Sequence, residues 1–339
     1  MNQPRQQSTQ LARPSGPTVP AAQGNAQTIR DLREQTRDFV GQRLLPTLRQ
    51  ILPPAMKAEQ FQASLVNTID ANPKLFANRI SLAIAVFNLA RLGLDTNPIL
   101  QHAFLIPREV SVPTTDDRGK KRWEKKATVT VQIGYKGLIF LGRRAGLTTL
   151  CEARVVRDCD EFDYTEGLVP NLIHRPKLNA EGKVVCAYAR AIVDGRPLFR
   201  VVDLAEIERA MRASSSAYPM IWDEQERRKV QSKELNPDSP WATDYEAMVQ
   251  KTAVRRFYKS FDLADAMGLA HALQVDADYD AGRVPKPIDG AGSTMPAPAA
   301  LGVAADWGPD AAGDEDNVWG GDDPEPGDAS DGAAEGVAP

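Results

Sequence analysis

The sequence predicts an α+β fold, a small antiparallel β-sheet packed on helices, with an N-terminal helical subdomain and disordered termini. Apolar residues between Thr28 and Leu92 recur at helical spacing. From Ala103 to Val202, short runs rich in β-branched residues are punctuated by turn residues. Both ends of the 339-residue chain are poor in large apolar side chains, too poor to offset the entropy of ordering. The predicted boundaries are a tail over 1–27, a helical subdomain over 28–96, a mixed core over 97–265 and an acidic tail over 266–339.

In the helical third, Ile29, Leu32, Thr36, Phe39 and Val40 share one face, and the helix they define ends near Gly41. Pro46 opens a short second helix through Ile51, and Pro53-Pro54 closes it. A third helix fits Lys57 to Asp70. A fourth, Lys74 to Leu92, carries the most apolar face of the set and stops at Gly93, a glycine suited to the left-handed C′ position.

Strands follow at Ala103 to Ile106 and Thr128 to Ile133. The charged segment between them reads as a long hairpin with a mobile basic loop over Arg108 to Lys126. There Lys120, Lys121, Arg122, Lys125 and Lys126 surround Trp123. An aromatic among cations suits stacking on a base, although loop tips also carry charge for solubility alone. Val129 to Gly146 is a strand, a turn through Gly134-Tyr135-Lys136-Gly137, and a helix ending in Arg143-Arg144. Those side chains are either solvated surface or a nucleic-acid contact, and the second reading needs a cationic partner elsewhere.

Glu152 to Val156, then Val184 to Val193 and Leu198 to Val202 across Asp194-Gly195-Arg196, supply the remaining strands. Asp203 and Glu206 resemble a capping box for a helix through Met211. Ala213 to Ser239 lacks periodicity and reads as a loop. Ser239-Pro240 then opens a helix to about Phe261, on which Lys251, Arg255, Tyr258 and Lys259 fall within an arc of about 100°, opposite Val249, Ala253, Val254, Phe257 and Phe261. Arg256 lies on the border. No acid stands between Lys251 and Ser260 to pair these cations at helical spacing, so an anionic ligand would relieve their repulsion.

The net charge of −4 conceals a division. Of 45 acidic and 41 basic residues, 12 and 2 lie beyond residue 280, so the chain before that point is +6 and the rest −10. Tethered so close, the acidic segment is expected to compete with anions for the basic part. No apolar run could span a bilayer, and no apolar signal core opens the chain, so a cytoplasmic protein is expected. Cys151, Cys159 and Cys186 lack the spacing of a zinc site, and phosphate-binding-loop, GxSxG and HExxH patterns are missing. Asp158, Asp160, Glu161 and Asp163 could hold Mg²⁺ in a nuclease, or form an ordinary turn between strands.

The blocks Leu92-Gly93-Leu94, His102 to Pro107, Gln132 to Leu138, Arg143 to Gly146, Arg154-Val155-Val156, Asp160-Glu161-Phe162, Leu172 to Pro176, Pro240-Trp241 and Met248 to Arg256, in this order, resemble the RecT family of phage recombinases, which are single-strand annealing proteins. The resemblance covers about Leu44 to Phe261. It implies DNA recombination and repair by binding single-stranded DNA and annealing complementary strands through a duplex intermediate, without ATP or another cofactor and without covalent catalysis. It further implies a homo-oligomer, ring or helical filament, working beside a phage exonuclease and the host single-strand binding protein in the bacterial cytoplasm, with no membrane partner. Residues 28–96 would then serve oligomer contacts or wall a DNA groove. The DNA-binding residues expected are Tyr135, Lys136, Arg143, Arg144, Lys251, Arg255, Arg256, Tyr258 and Lys259, with Lys121, Arg122, Trp123, Lys125 and Lys126 as secondary candidates. The alternatives are the Mg²⁺-dependent nuclease and a phage scaffolding oligomer that binds no DNA.

Overall fold

The computed structural model describes residues 22–115, 121–178, 181–223, 228–283 and 286–288, and the side chains of all these except 22–29 and 111–124. The expectation of disorder at the two ends falls largely outside these residues. Helix α1 (Ala22–Asp38) starts inside the predicted tail. It does not end at Gly41 but runs on through a π-helical segment (Phe39–Leu44) into α2 (Leu45–Ile51). Phe39, Val40, Leu44 and Leu48 are all buried along this path, and that continuous apolar stripe outweighs the cost of one glycine.

Helix α3 (Ala58–Ala71) and a 3₁₀ turn (Pro73–Ala77) lead to α4 (Arg79–Leu92). Asn78 caps α4 by accepting from Ser81 N at 3.0 Å, and Gly93 closes it at φ 63°. Buried on nearly every side, α4 is the central post of the helical layer.

Strands β1 (Ala103–Thr115) and β2 (Lys121–Ile133) pair antiparallel from Ala103↔Ile133 to Thr115↔Lys121. Most of the expected basic loop is therefore paired strand, because a charged ribbon meets its backbone needs across the ladder without a core. At its base β2 is covered on both faces, with Thr128 to Ile133 all buried. Its outer edge is sealed by side chains: Ser81 Oγ of α4 accepts from Val129 N at 2.9 Å, and Asp276 Oδ1 accepts from Ile133 N at 3.2 Å.

After α5 (Tyr135–Arg144), strands β3 (Leu150–Arg157), β6 (Val184–Val193) and β7 (Arg196–Asp203) form a three-stranded sheet in the order β3-β6-β7. Asp194 and Gly195, both at positive φ, make the tight β6–β7 turn. Two hairpins had no clear signal in the sequence. β4 (Glu161–Thr165) pairs with β5 (Asn171–Arg175) where a turn was expected, and β8 (Met220–Asp223) pairs with β9 (Arg228–Gln231) inside the expected loop. Between them, Asp203 caps α6 (Leu204–Arg212) by accepting from Glu206 N at 2.7 Å.

The helix expected from Ser239 to Phe261 is two: α7 (Pro240–Thr243) and α8 (Tyr245–Tyr258), broken at Asp244 (φ −145°). The largest departure follows. Residues predicted to open the acidic tail form α9 (Met267–Asp280), which buries Leu269, Ala272, Leu273, Asp276 and Tyr279, packs against β2, α5 and α4, and meets α8 through ion pairs. The spacing of those residues is helical, but three aspartates in five positions obscured it. A final strap, residues 286–288, lies back on α4, where buried Asn88 holds Lys286 O and Ile288 N.

Candidate nucleic-acid interface

Helix α5 begins immediately after β2, so Tyr135 and Lys136 occupy its first turn rather than a loop. Two glycines make this possible. A Cβ at Gly134 would overlap Gln101 O, and one at Gly137 would overlap His102 O. The 101–102 backbone lies against the start of α5, held by Gly134 N donating to His102 O at 2.9 Å. His102 is thereby stacked on Phe140, ring centroids 4.7 Å apart and planes at 24°.

A groove of about 440 Å³ opens between this face of α5 and edge strand β3. Tyr135, Lys136, Ile139, Phe140 and Arg143 line one wall and Cys151 to Arg154 the other, and His102 and Gln250 complete the lining. Lys136 and Arg143 are exposed, and Lys136 Nζ donates to Gln101 Oε1 at 2.6 Å. Tyr135 is half-buried, and burial pushes its hydroxyl pKa up, so the phenol stays neutral. The one carboxylate in the lining, Glu152, is taken by Arg190 and lies 3.4 Å from Arg154 Nη2. The groove therefore presents net positive charge beside a flat aromatic pair. His102, Phe140 and Arg154 were not singled out as contacts in the sequence; the signal available was that Phe140 and Arg143 follow Lys136 at helical spacing.

The other expected residues are arranged differently. Arg144 Nη2 donates to Leu92 O at 2.7 Å, and the guanidinium sits beside Gly93, so it caps the C-terminal end of α4. Lys251 is 3% exposed and its Nζ lies 2.6 Å from Asp276 Oδ1. Arg255 Nη1 is 3.3 Å from Asp276 Oδ2 and is also paired with Asp280. The cationic face of α8 is thus neither unpaired nor open. Its acids come from α9, beyond the reach of a search at helical spacing. Burial pushes the Asp276 carboxyl pKa up while Lys251 and Arg255 pull it down; burial also opposes the Arg255 charge, yet Asp276 and Asp280 hold its pKa above the usual value. Tyr258 is fully buried, its hydroxyl 3.2 Å from Thr148 Oγ1, and cannot reach a base.

At the end of α8 two cations stay on the surface. Arg256 Nε lies 3.7 Å from Glu206 Oε1, and Lys259 is exposed with its pKa lowered by partial burial and by Arg255 and Arg256. On the ribbon, Lys125 Nζ sits 4.0 Å from Glu109, and Lys126 is half-buried with a partner of its own. The side chains of Lys121, Arg122 and Trp123 lie outside the described residues.

The acidic cluster has a structural use. Asp158 Oδ1 accepts from Lys183 N at 3.0 Å and Glu161 pairs with Arg175. Asp160 accepts from Arg157 N (2.8 Å) and Lys177 N (2.9 Å) and meets His174 Nε2 at 3.2 Å, whose other ring nitrogen is 3.2 Å from the Tyr188 hydroxyl. This seats the β4–β5 hairpin on the sheet. Burial alone would raise the Asp160 pKa, but the two backbone N–H groups and His174 hold it at about 2, below the ordinary 3.8. Its contribution to stability is therefore complete above about pH 4 and lost as pH falls towards 2. Asp160→Asn should flatten the stability profile in that window, measured by denaturant unfolding at a series of pH values. Among the described residues, no group of three or more His, Cys, Asp and Glu side chains is placed to hold a metal ion.

A mixed α+β domain with a cationic, aromatic groove is consistent with a protein that handles nucleic-acid strands, and sequence comparison is specific about which. The RecT family model matches residues 59–281, which includes α9. Protein RecT of Escherichia coli (strain K12) is 31% identical over 251 residues, 74% of this chain and 80% of the relative. The class is that of phage-type recombination and strand-annealing proteins. Within it, the chain belongs to the RecT family. No helix among the described residues is long and apolar enough to cross a membrane.

Proposed function

We propose that the protein binds single-stranded DNA in the groove between α5 and β3 and anneals it to a complementary strand without nucleotide hydrolysis. The observation that carries this reading is the groove's composition: Lys136, Arg143 and Arg154 beside Tyr135 and the His102–Phe140 stack, with its one carboxylate already paired. Two cations on one wall and a third on the other suit the phosphates of a strand lying between them, and the aromatic faces suit bases without selecting among them. Annealing needs no covalent step. The protein holds one strand by its backbone and leaves the base edges free, and pairing supplies the specificity, about 1.4 kcal/mol per stacked step. Arg256 and Lys259 are further phosphate contacts on this reading, whereas Lys251, Arg255, Arg144 and Tyr258 hold the groove in place from behind. No nucleotide is hydrolysed in the step. Assembly into a ring or filament would align grooves of successive subunits, with a phage exonuclease supplying resected ends and the host single-strand binding protein as the competing occupant of the strand.

Arg143→Ala with Arg154→Ala should weaken binding of a single-stranded oligonucleotide and lower the slope of log affinity against log salt by about 1.4, since each lost phosphate contact removes about 0.7. Annealing of two complementary oligonucleotides without nucleotide should slow in parallel. Unchanged affinity and slope in a folded double variant would overturn the assignment, and shortened strands in the presence of Mg²⁺ would favour the nuclease alternative.

A further inference from the structure

The chain beyond Ile288 has the most one-sided charge in the sequence: twelve Asp and Glu and no Lys or Arg over 289–339, with Trp307 and Trp319 among them. The structure fixes where this segment starts. Asn88, 1% exposed within α4, donates from Nδ2 to Lys286 O at 2.8 Å and accepts at Oδ1 from Ile288 N at 2.9 Å. One amide satisfying a carbonyl and an N–H two residues apart sets both the position and the direction of the strap. Ile288 completes the clamp by burying its side chain in the core. Four residues after Asn88, Leu92 O takes the bond from Arg144, whose neighbour Arg143 is in the groove wall. The acidic segment is therefore rooted on the helix that braces α5.

We propose that residues 289–339 dock in the groove between α5 and β3 as an intramolecular competitor of nucleic acid. Their carboxylates take the place of phosphates against Lys136, Arg143 and Arg154, and a tryptophan takes the place of a base beside Tyr135. The identity of the displaced ligand rests on the DNA-binding reading above; the docking does not. Complementary charge selects the groove, because its single carboxylate, Glu152, is already held by Arg190 and Arg154, and Lys136 and Arg143 have no acidic partner within the lining. Carboxylate–guanidinium pairs reproduce the hydrogen bonds a phosphate would make. Reach is ample: the 26 residues from Ile288 to Asp314 can span up to about 90 Å, against a radius of gyration of about 18 Å for a domain of this size. Tethering also holds the segment at an effective concentration on the order of a millimolar.

The test compares the full chain, the full chain with all twelve carboxylates changed to Asn or Gln, and the chain ending at Ile288, each binding a fluorescent oligo-dT across a range of salt. The two altered proteins should bind about tenfold more tightly at low salt and show the steeper salt slope, because DNA no longer displaces an anion already in place. A labelled 289–339 peptide should also bind the shortened chain, and bind it more weakly when Arg143 and Arg154 are Ala. Equal affinities and slopes for all three proteins, with DNA bound, would overturn the competitor and leave the DNA reading intact. Failure of the peptide to bind would overturn the docking whatever DNA does. Tail-dependent inhibition that grows with protein concentration would place the tail in a second copy's groove and overturn the intramolecular form.

Discussion

Asp276→Ala will destabilise the protein by about 3–5 kcal/mol, because it leaves Lys251 buried without its counter-charge and strips Arg255 of one of two partners. It also removes the acceptor for Ile133 N at the very end of β2, one residue before the glycine that starts α5. Denaturant unfolding followed by circular dichroism measures the loss. Exchanging the pair for apolar residues, Lys251→Met with Asp276→Leu, should recover much of it, since Arg255 keeps Asp280. The same series separates a structural lysine from a DNA-binding one. Lys251→Met alone is expected to lower stability and leave the salt slope of DNA binding unchanged; a stable variant with a flattened slope would show that this cation reaches phosphate.

The second large effect lies at Tyr258. Its ring is fully enclosed and occupies the space left by Gly142, where a Cβ would overlap the phenol. Tyr258→Ala should cost about 3–5 kcal/mol through the cavity it leaves. Tyr258→Phe keeps the packing and loses only the contact with Thr148, about 1 kcal/mol. Burial, with Cys151 close by, pushes the phenol pKa well up, so no ionisation complicates the comparison. A stacking role in DNA binding predicts the reverse pattern: an alanine variant of normal stability and weakened affinity. Thermal unfolding and oligonucleotide binding on the same two variants decide between them.

The placements of Lys251, Arg255 and Tyr258 away from the groove share a cause. From the sequence, Lys251, Arg255 and Tyr258 form a clean polar arc on an amphipathic helix, and that arc is real. Periodicity reports which residues share a face; it says nothing of what lies against that face. Here it is α5 for Tyr258 and, for the two cations, α9, an element whose aspartates made it look like the start of the acidic tail. Helices with apolar runs and clear stop signals, α2 to α4, and the strands bounded by Gly or by Asp194-Gly195 were legible because local chemistry determines them, although α4 starts at Arg79 after the Asn78 cap and not at Lys74. The short hairpins β4–β5 and β8–β9 were not, since they depend on tertiary partners rather than on alternation, His174 with Tyr188 for the first and Gln231 with the Arg212 and Tyr218 carbonyls for the second. Half of the groove was legible for the first reason: Tyr135, Lys136 and Arg143 lie on one short helix. The other half, His102 and Arg154, enters through the Gly137 contact and the sheet edge, which are facts of tertiary structure.

The Asn88 clamp bears on the order in which the chain can fold. Its two hydrogen bonds join positions 198 and 200 residues apart, so the helix at the centre of the core acquires its last partners only when nearly all of the core sequence has been made. At ordinary rates of synthesis that interval is about 10–40 s. Until then α4 carries a buried-type amide with nothing to bond and an open site where Ile288 will sit, and the cations of α8 await α9. The ordered domain is therefore one cooperative unit with a late closing step. Any chain stopped before Ile288 should behave as an expanded, aggregation-prone intermediate rather than as a smaller version of the protein.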